Sequence, residues 1–548
     1  KELIRRVPNN GIGYGVLKYL TDPEHKKTLS FDKIRPDALF NYLGEVSSNE
    51  QSKSIFNFSQ ISSGKNISGD FELQHPIEIN SVTIDYNINF NITYNPEIYT
   101  EKDIKLFRDN YRNALIKIAE HCILKTEREN TPGDYTDCPL ELGEYEDAIK
   151  ANGLRYENIA DIYTLTAMQS GFLYHKLLDE NSAAYFEQTV IKAQGKFNYE
   201  LFKKSWEMIL ERHNILRTVI LYKDISQPVQ IVVKHRDLEI TYKDLRSELE
   251  ESIQNAEISE FKNADKLRKF DLSCDALFRI GILQTSDNEF YSVFSFHHII
   301  MDGWCIAVLF GEFLRIYYGL LNNEIIELEP PVQYSEYIRW LKRYDKEKSL
   351  GFWKEYLKGY ESIVEIPFSQ AKEKEITETG HSKFSFVINE IKSQKLQEIS
   401  NKNGVTLNTL IQSMWGLLLS RYNNTDEAVF GATVSGRPAE IKGIEKILGL
   451  FINTIPVRIK IKSGETFEEL LKRTQKEAVE CQPYHYSSLA EIQSNSELKQ
   501  NLINHIVVFE NYPIDEKLQA IEKNDNALSI AATEVFEQIN YDFGIIVS

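Results

Sequence analysis

An apolar, strand-like run over 289–296 leads directly into two adjacent histidines, His297 and His298, and an apolar helix is predicted over 304–321. Side chains alternate between the two faces of a strand, so the two imidazoles are expected to point in opposite directions. One can pack in a core while the other opens onto a cavity, where a reference pKa near 6.5 suits it to proton transfer. A buried histidine is, however, more often structural. Adjacent histidines can also form half of a metal site, although no third ligand lies at a suitable spacing.

The bulk properties of the chain exclude several classes of protein. Its 548 residues are too many for one hydrophobic core, so two or more domains are expected. A net charge of -18 argues against nucleic acid or an anionic membrane as the main partner. The five cysteines are scattered without a CxxC pair, which disfavours a zinc site or a disulfide framework and predicts a reducing, cytoplasmic location. No apolar run is judged long enough to cross a membrane.

The sequence divides into three blocks of different character. Residues 1–123 contain an alternating, strand-like run over 79–95 and an amphipathic helix over 101–122. Residues 124–158 are polar and turn-rich, which predicts an interdomain linker. Residues 159–548 mix helix and strand patterns and predict an α/β fold of the two-layer α+β kind. The apolar stripe of the first-block helix is expected to pack in a core, and it consists of Ile104, Phe107, Tyr111, Leu115 and Ile118.

In the third block, apolar residues at spacings of three and four predict helices, and short apolar runs predict strands. The first helix of this block is expected to be capped by Asn198. The predicted helices cover 198–218, 304–321, 406–423 and 466–480, and the predicted strands cover 289–296, 428–436 and 452–461.

Two parts of the chain show the same order of elements, which predicts an internal repeat. Residues 37–44 and 503–513 are each an apolar strand that ends on aromatic residues and asparagine. Each is followed by a polar loop and a strand-like segment, at 79–90 and 536–547. Because the first copy continues into a further strand and a helix, the polypeptide is expected to extend past Ser548.

The segment His297–Gly303, HHIIMDG, resembles the active-site motif of the condensation-domain superfamily of nonribosomal peptide synthetases. That superfamily has the fold of chloramphenicol acetyltransferase. Segments similar to its other motifs follow in family order at 163–171, 211–218, 334–340, 449–458, 485–493 and 504–513. The resemblance implies a V-shaped, two-lobe condensation domain with a first lobe over 159–335 and a C-terminally truncated second lobe over 336–548.

The first block carries a resemblance of its own. Residues 6–15 and 40–44 are similar to the last two motifs of epimerization domains, which share the condensation fold. The catalytic motif of those domains lies upstream in the family, so this fragment is expected to be inactive alone. The segments 168–175 and 184–188, together with Trp304, resemble the subclass of condensation domains that follows an epimerase. That subclass joins a donor ending in a D-residue to an L-amino acid.

The resemblance implies peptide-bond formation between two substrates that arrive on phosphopantetheine arms of upstream and downstream peptidyl carrier domains. Adenylation domains of the same synthetase are further implied partners, and no bound cofactor, metal, nucleic acid or membrane is expected. His298 is expected to act as a base or to position the attacking amine, with His297 as its support. Gly303 is expected to form a tight turn. Asp302 is expected to pair with an arginine, for which the candidates are Arg212, Arg217 and Arg437.

Other members of this fold do different chemistry, and two alternatives stay open. One is a docking domain without catalytic activity, against which the intact HHIIMDG motif argues. The other is an O-acyltransferase acting on a free acceptor. Cyclizing relatives replace the two histidines with aspartates, which this chain does not.

Overall fold

The computed structural model describes most of the chain as two compact units, residues 1–129 and 130–548. The described residues are 2–5, 7–22, 24, 36–46, 64, 73–125, 130–178, 185–248, 250–366, 382–510, 528–536, 541 and 543–548.

The first unit contains one three-stranded sheet and one long helix. Its strands are β1 (Ala38–Val46), β2 (Ile77–Ile84) and β3 (Asn87–Tyr94), and its helices are α1 (Glu2–Arg5), α2 (Ile12–Gly15) and α3 (Glu101–Leu124). Strand β2 lies between the others, parallel to β1 and antiparallel to β3. Helix α3 confirms the helix predicted over 101–122, and it begins with a capping box between Thr100 and Asp103.

The alternating run over 79–95 forms a hairpin rather than one strand. Asp85 and Tyr86 have φ angles of 47° and 65°, which is the backbone conformation of a tight two-residue turn. The register pairs Val82 with Asn89 and Thr83 with Ile88, so the even-numbered residues of β2 and of β3 lie on opposite faces of the sheet, although the alternation continues unbroken in the sequence. The alternation predicts that Val82, Ile84, Tyr86, Ile88 and Phe90 share one face, and this prediction is wrong: the turn separates the first two from the last two, and Tyr86 is 92% exposed.

The prediction that the apolar stripe of α3 packs in a core is wrong for most of its length. Ile104 is buried and Tyr111 meets the ring of Phe90 edge-on, whereas Leu115 and Ile118 are exposed within this unit. Helix α3 has 24 residues, or about 36 Å at 1.5 Å per residue, whereas β3 has eight, or about 27 Å. Three short strands therefore cover only part of the helix.

The described residues of the second unit form three sheets. Its strands are β4 (Ile159–Thr164), β5 (Phe186–Gln194), β6 (Thr218–Leu221), β7 (Val229–Val233), β8 (Ile240–Asp244), β9 (Phe278–Ser286), β10 (Glu289–His297), β11 (Glu427–Val434), β12 (Asn453–Lys460), β13 (His505–Phe509), β14 (Ser529–Phe536) and β15 (Phe543–Val547). The strand orders are β14-β5-β10-β9-β8, β12-β11-β13-β15 and β4-β7-β6.

The helices of the second unit confirm those predicted from the periodicity. They are α4 (Leu142–Ala151), α5 (Ala167–Leu178), α6 (Tyr199–Arg212), α7 (Glu251–Arg268), α8 (Gly303–Asn322), α9 (Ser335–Leu341), α10 (Lys346–Leu357), α11 (Glu390–Asn403), α12 (Leu407–Tyr422), α13 (Phe467–Cys481) and α14 (Leu489–Ser494). Asn198 caps α6 as predicted by accepting a hydrogen bond from the backbone N–H of Leu201. The helix predicted over 198–218 ends earlier, at Arg212, and a 3-10 turn leads into β6.

The linker predicted over 124–158 is largely folded. Residues 130–158 belong to the second compact unit, and α4 lies within them. Tyr145 and Ile149 of α4 are each 1% exposed and belong to a core cluster with Ile162 of β4. The polar composition of this segment reflects the outer face of α4, whereas its few apolar residues attach it to the sheet.

The five-stranded sheet joins residues that the sequence analysis assigns to different lobes. Strand β14, expected in the second lobe, pairs antiparallel with β5 of the first. Its Glu534 forms an ion pair with Lys262 of α7, and the Lys266 ammonium lies 4.0 Å from the ring centroid of Phe536. A strand that the sequence assigns to the second lobe therefore forms the edge of a sheet built from residues assigned to the first.

Helix α8 has the length and hydropathy of a membrane span, contrary to the sequence-based judgement that no run reaches that length. It packs against α6, with the ring of Phe313 centred 4.9 Å from those of both Phe202 and Trp206. Cys305, Leu309 and Phe313 of this helix belong to the largest core cluster of the protein. Its apolar composition is explained by this position in the core.

The repeat predicted from the sequence appears as shared topology. Strand β13 is parallel to β15, as β1 is parallel to β2. The same order recurs a third time, because β8 is parallel to β9, β9 forms a hairpin with β10, and the long helix α8 follows. The succession β8-β9-β10-α8 thus matches β1-β2-β3-α3, and the His-His motif lies at its strand-to-helix junction.

Candidate active site

The HHIIMDG segment connects the last residue of a central strand to the first turn of a buried helix. His297 ends β10, where it pairs with Phe186 of β5, and Gly303 begins α8. Asp302 is the residue before the helix, so His298 and the three residues after it form the connecting turn. The predicted arrangement of strand, histidine pair and helix is therefore observed.

His297 is buried in the core and takes part in holding the turn. It is 3% exposed, and its Nδ1 atom accepts a 3.1 Å hydrogen bond from the backbone N–H of Ile299. Burial lowers the pKa of His297 to about 3, with a smaller contribution from neighbouring His298. Its imidazole is therefore neutral, and the lone pair of Nδ1 is available to the turn.

His298 lies in a different environment and is half-buried. Its backbone N–H donates to the carbonyl oxygen of Tyr185 at 2.8 Å. Its ring meets Phe172 edge-on, with centroids 5.5 Å apart, and its Nδ1 atom is buried without a hydrogen-bond partner among the described residues. Because Nδ1 is inaccessible while the ring as a whole is half-buried, a proton can be exchanged with a bound molecule only through the other ring nitrogen, Nε2.

Tyr185 contacts His298 through its backbone carbonyl, and no role was predicted for it from the sequence. Its φ angle is 66°, a left-handed conformation that is uncommon for a tyrosine. Its ring stacks on Phe172 with centroids 3.8 Å apart. This conformation directs the Tyr185 carbonyl to His298 while its ring packs on α5, so the strain is stored next to the candidate catalytic residue.

Asp302 pairs with Arg437, one of its three predicted partners. Asp302 is 0% exposed, its Oδ1 atom accepts a 3.2 Å hydrogen bond from Arg437 Nη2, and its Oδ2 atom accepts one of 3.0 Å from the backbone N–H of Phe451. The Arg437 guanidinium also donates to the carbonyls of Ile444 and Ile447 and lies 4.0 Å from the Phe451 ring centroid. Asp302 therefore anchors the end of the turn to residues 437–451.

The other two arginines lie elsewhere. Arg212 donates from Nε to Glu312 of α8 at 2.9 Å, and the same carboxylate lies 2.7 Å from Nε2 of His213. Arg217 donates to the carbonyl of Val233 at 3.0 Å and to other backbone oxygens. Neither contacts Asp302, so the structure assigns both to the packing of α6 and α8 and of the adjoining turn.

The first turn of α8 adds a buried thiol that the sequence analysis also missed. Cys305 Sγ lies 3.3 Å from Asp302 Oδ1 and 3.1 Å from the carbonyl oxygen of Gly449. Burial raises the pKa of the Cys305 thiol to about 12, so it remains protonated and can donate. Gly303 is simply the first helical residue, and the next residue, Trp304, donates from Nε1 to the carbonyl of Glu445 at 2.9 Å.

Within the part of the chain that the structure describes, no group of three His, Cys, Asp or Glu side chains has the arrangement of a metal site. The site in this region consists instead of one half-buried imidazole, His298, on a turn with buried polar supports.

Comparison with known proteins identifies the family. A family profile described as Condensation domain matches residues 159–548. The chain is 37% identical to bacitracin synthase 1 of Bacillus licheniformis over 547 residues, which is 100% of this chain and 10% of the synthase. It is 38% identical to bacitracin synthase 3 of the same organism over 94% of this chain and 8% of that synthase. It is 41% identical to tyrocidine synthase 2 of Brevibacillus parabrevis over 71% of this chain and 11% of that protein. The chain thus spans a small part of the length of these relatives.

Solved structures confirm the predicted chloramphenicol-acetyltransferase-like α/β fold. A four-domain nonribosomal peptide synthetase, solved with AMP and glycine, matches 69% of this chain and 29% of its own with a TM-score of 0.55 at 19% identity. The first condensation domain of the calcium-dependent antibiotic synthetase, solved with a substrate analogue, matches 65% of this chain and 82% of its own, with a TM-score of 0.53 at 13% identity. With the family profile over 159–548 and the synthetase relatives, these matches show that the chain belongs to the condensation-domain family of nonribosomal peptide synthetases.

Proposed function

We propose that this chain forms a peptide bond between two carrier-bound substrates and that His298 is its catalytic residue. The observation that carries the proposal is the environment of His298. Its backbone is fixed by Tyr185 and its ring is half-buried, with Nδ1 inaccessible, so Nε2 is the ring nitrogen that a substrate can reach. His297, the adjacent imidazole, differs by its burial: it is 3% exposed, its Nδ1 atom accepts from the turn, and its Nε2 atom is inaccessible.

In the proposed reaction, the amine of the acceptor attacks the thioester carbonyl of the donor. The new C–N bond forms, the C–S bond breaks, and the proton lost by the amine passes to the leaving thiolate. His298 accepts that proton or hydrogen-bonds the amine as it attacks. Holding two tethered reactants next to each other supplies a further part of the acceleration.

The substrates are proposed to arrive on phosphopantetheine arms of peptidyl carrier domains, one upstream and one downstream, within a cytoplasmic synthetase that also contains adenylation domains. This agrees with the domain content implied by the condensation family and with the net charge of -18, which disfavours nucleic acid as a partner.

The donor is proposed to end in a D-residue and the acceptor to be an L-amino acid. The support is the resemblance of 1–123 to the end of an epimerization domain and of 168–175 to the matching condensation subclass. The fragment is proposed to have no activity alone. In line with this, its strand-to-helix junction at 95–100, which corresponds topologically to 298–302, contains no histidine.

The test supplies the full chain with separate carrier domains that hold a D- or L-donor and an amino-acid or hydroxy-acid acceptor. Mass spectrometry of the acceptor carrier detects the product. His298→Ala is compared with His235→Ala, a control at an exposed histidine of the same unit.

A dipeptidyl product from the D-donor alone, lost in His298→Ala and retained in His235→Ala, is the expected result. Equal product from both donors would remove the stereochemical part of the proposal. Product with the hydroxy-acid acceptor but not with the amine would instead indicate an O-acyltransferase. A folded chain that yields no product with any substrate would indicate a docking domain.

A further inference from the structure

The turn that carries His298 is held by a side chain from a distant part of the sequence. Within the turn, the backbone N–H of Ile300 donates to the carbonyl of His297 at 3.2 Å. The carbonyl oxygen of Ile299 points away from this local bond and accepts a 2.9 Å hydrogen bond from Nε2 of Gln169, which lies 130 residues earlier on α5. Gln169 therefore contacts the backbone immediately after His298.

The Gln169 side chain is itself fixed on every side. It is 0% exposed, and its amide forms a reciprocal pair with that of Gln230 on β7, with both N···O distances at 2.8 Å. Its Oε1 atom also accepts from the backbone N–H of Thr166 at 3.0 Å, and Thr166 Oγ1 accepts in return from the Gln169 N–H. With the bond to Ile299, both donors and both acceptor positions of the amide are used.

This arrangement ties together three elements that are far apart in the sequence. The bonds to Thr166 are those of a capping box, so they fix Gln169 at the start of α5. The partner amide of Gln230 donates to the carbonyl of Thr164 at 3.0 Å, which fixes it to β4. A fully satisfied buried polar network of this kind holds one conformation, because any shift leaves a buried group without a partner.

We propose that Gln169 is a positioning residue for peptide-bond formation, which sets the place of the His298 imidazole by holding the carbonyl of Ile299. The inference rests on the proposed function of His298. Gln169 is completely buried and therefore does not touch substrate. Its effect is on geometry, where a displacement of about 1 Å is enough to lower a rate by about 100-fold.

Gln169→Leu removes the bond to Ile299, together with the amide bonds to Gln230 and Thr166, while keeping a buried side chain that is one atom shorter. Gln169→Glu is the conservative variant. A buried carboxyl group is neutral and has a single O–H. It can therefore donate a hydrogen bond to the Ile299 carbonyl or to Gln230 Oε1, but not to both. The matched control is Gln284→Leu. Gln284 is also a buried glutamine, 6% exposed, although it lies on a strand; its Nε2 atom donates to the carbonyl of Ser286 at 3.0 Å, and its Oε1 atom accepts from the Tyr242 hydroxyl at 2.7 Å. It lies six residues along β9 from Phe278, the partner of Phe296 beside the site.

Two readouts are needed on the full chain. The first is kcat and KM for dipeptide formation from carrier-bound substrates. The second is the imidazole NMR spectrum of histidine-labelled protein, with the His298 signals assigned from His298→Ala. The second requires no activity. If the parent protein makes no product, the proposed function fails, yet the NMR signals still decide whether Gln169 positions His298.

We expect Gln169→Leu to lower kcat by about 10- to 100-fold with KM changed by less than about threefold. We also expect it to move the His298 signals, with Gln169→Glu intermediate in both readouts. Gln284→Leu should leave the His298 signals and kcat near those of the parent. The proposal is overturned if Gln169→Leu is folded with unmoved His298 signals. It is also overturned if Gln284→Leu lowers kcat as much as Gln169→Leu does, since that would be a general effect of lost stability.

Discussion

Asp302 and Arg437 are 135 residues apart in the sequence, and their Oδ1 and Nη2 atoms lie 3.2 Å apart in the core. Both side chains are nearly inaccessible, with 1% and 6% exposed, respectively. The pair joins the end of the HHIIMDG turn to the segment that begins after β11. It therefore couples the position of His298, the proposed catalytic residue, to residues assigned from the sequence to the second lobe.

Breaking this pair is expected to destabilise the protein strongly. Asp302→Asn leaves the Arg437 guanidinium buried without its counter-charge. Arg437→Gln leaves the Asp302 carboxylate buried without its counter-charge. Each variant should lower the free energy of unfolding by about 3–5 kcal/mol. The double variant removes both charges and should lose about 1–3 kcal/mol less than the sum. Urea unfolding measures the free energy of unfolding of the two single variants and of the double variant. Lys472→Gln, which breaks the exposed pair with Glu468, is the control and should cost under about 1 kcal/mol. Additive losses in the double variant would contradict this account.

Arg212 is expected to act on stability rather than on the reaction. Its bond to Glu312 at 2.9 Å links α6 to α8, and it does not reach Asp302. Arg212→Met keeps the apolar stem but removes the charge next to Glu312. We expect a loss of about 1–3 kcal/mol in urea unfolding and a rate of dipeptide formation per folded molecule within about threefold of the parent. A large fall in that rate without a loss of stability would return Arg212 to the active site, where the sequence analysis had placed it.

His505 is expected to make the stability of the protein depend on pH. Trp415 Nε1 donates to His505 Nε2 at 2.9 Å, so Nδ1 carries the proton and donates to Asn504 Oδ1 at 2.6 Å. Burial lowers the pKa of His505 to about 4, whereas the unfolded side chain has a pKa of about 6.5. Between these values the unfolded state binds more protons. The free energy of unfolding should therefore fall as the pH drops from about 6.5 towards about 4, by up to about 1.4 kcal/mol per pH unit for this residue.

The measurement is urea unfolding of the parent and of His505→Gln across this pH range. The free energy of unfolding of His505→Gln should fall less steeply as the pH drops, because the glutamine at position 505 does not titrate. His297 and His485 also have lowered pKa values, but they are present in both proteins, so the difference isolates His505. His235→Gln changes an exposed histidine and should leave the slope unaltered. Parallel curves for the parent and His505→Gln would show that His505 is not the source.

Local features of the site could be predicted from the sequence, because they depend on periodicity. The strand before His297 and the helix after Asp302 are both present, as is the separation of the two imidazoles into different environments. A short apolar run that is followed by apolar residues at spacings of three and four is enough to predict such a junction.

Contacts between distant segments could not be predicted, because no local pattern encodes them. Nothing in the sequence favours Arg437 over Arg212, since all three candidate arginines lie next to apolar segments. The same applies to Gln169, whose partner Ile299 is 130 residues away. The pairing of β14 with β5 likewise depends on tertiary packing, since the strand pattern of β14 fits either sheet. The capping box of Thr166 and Gln169 was the one local sign that Gln169 has a fixed place.

Gly436, the residue before Arg437, is expected to be essential for the Asp302 pair. Its φ angle is 59°, and a Cβ atom built on it would lie 1.8 Å from the carbonyl oxygen of Phe451. Gly436→Ala therefore combines left-handed strain with a clash against backbone that cannot rotate away. Gly404 is the matched control, because its φ angle is 65° but no atom lies within 4 Å of its added Cβ. Gly404→Ala should cost about 1–2 kcal/mol in urea unfolding, the ordinary penalty of that conformation.

Gly436→Ala should lower the free energy of unfolding by about 1–3 kcal/mol more than Gly404→Ala does, because Phe451 must move away. Phe451 donates its N–H to Asp302 Oδ2 at 3.0 Å, so its displacement should also weaken the anchor of the turn that carries His298. We therefore expect Gly436→Ala to lower the rate of dipeptide formation per folded molecule, whereas Gly404→Ala should leave that rate near the parent value. Equal losses of stability and rate in the two variants would mean that the backbone around Phe451 yields freely, and that the anchor is not a rigid part of the site.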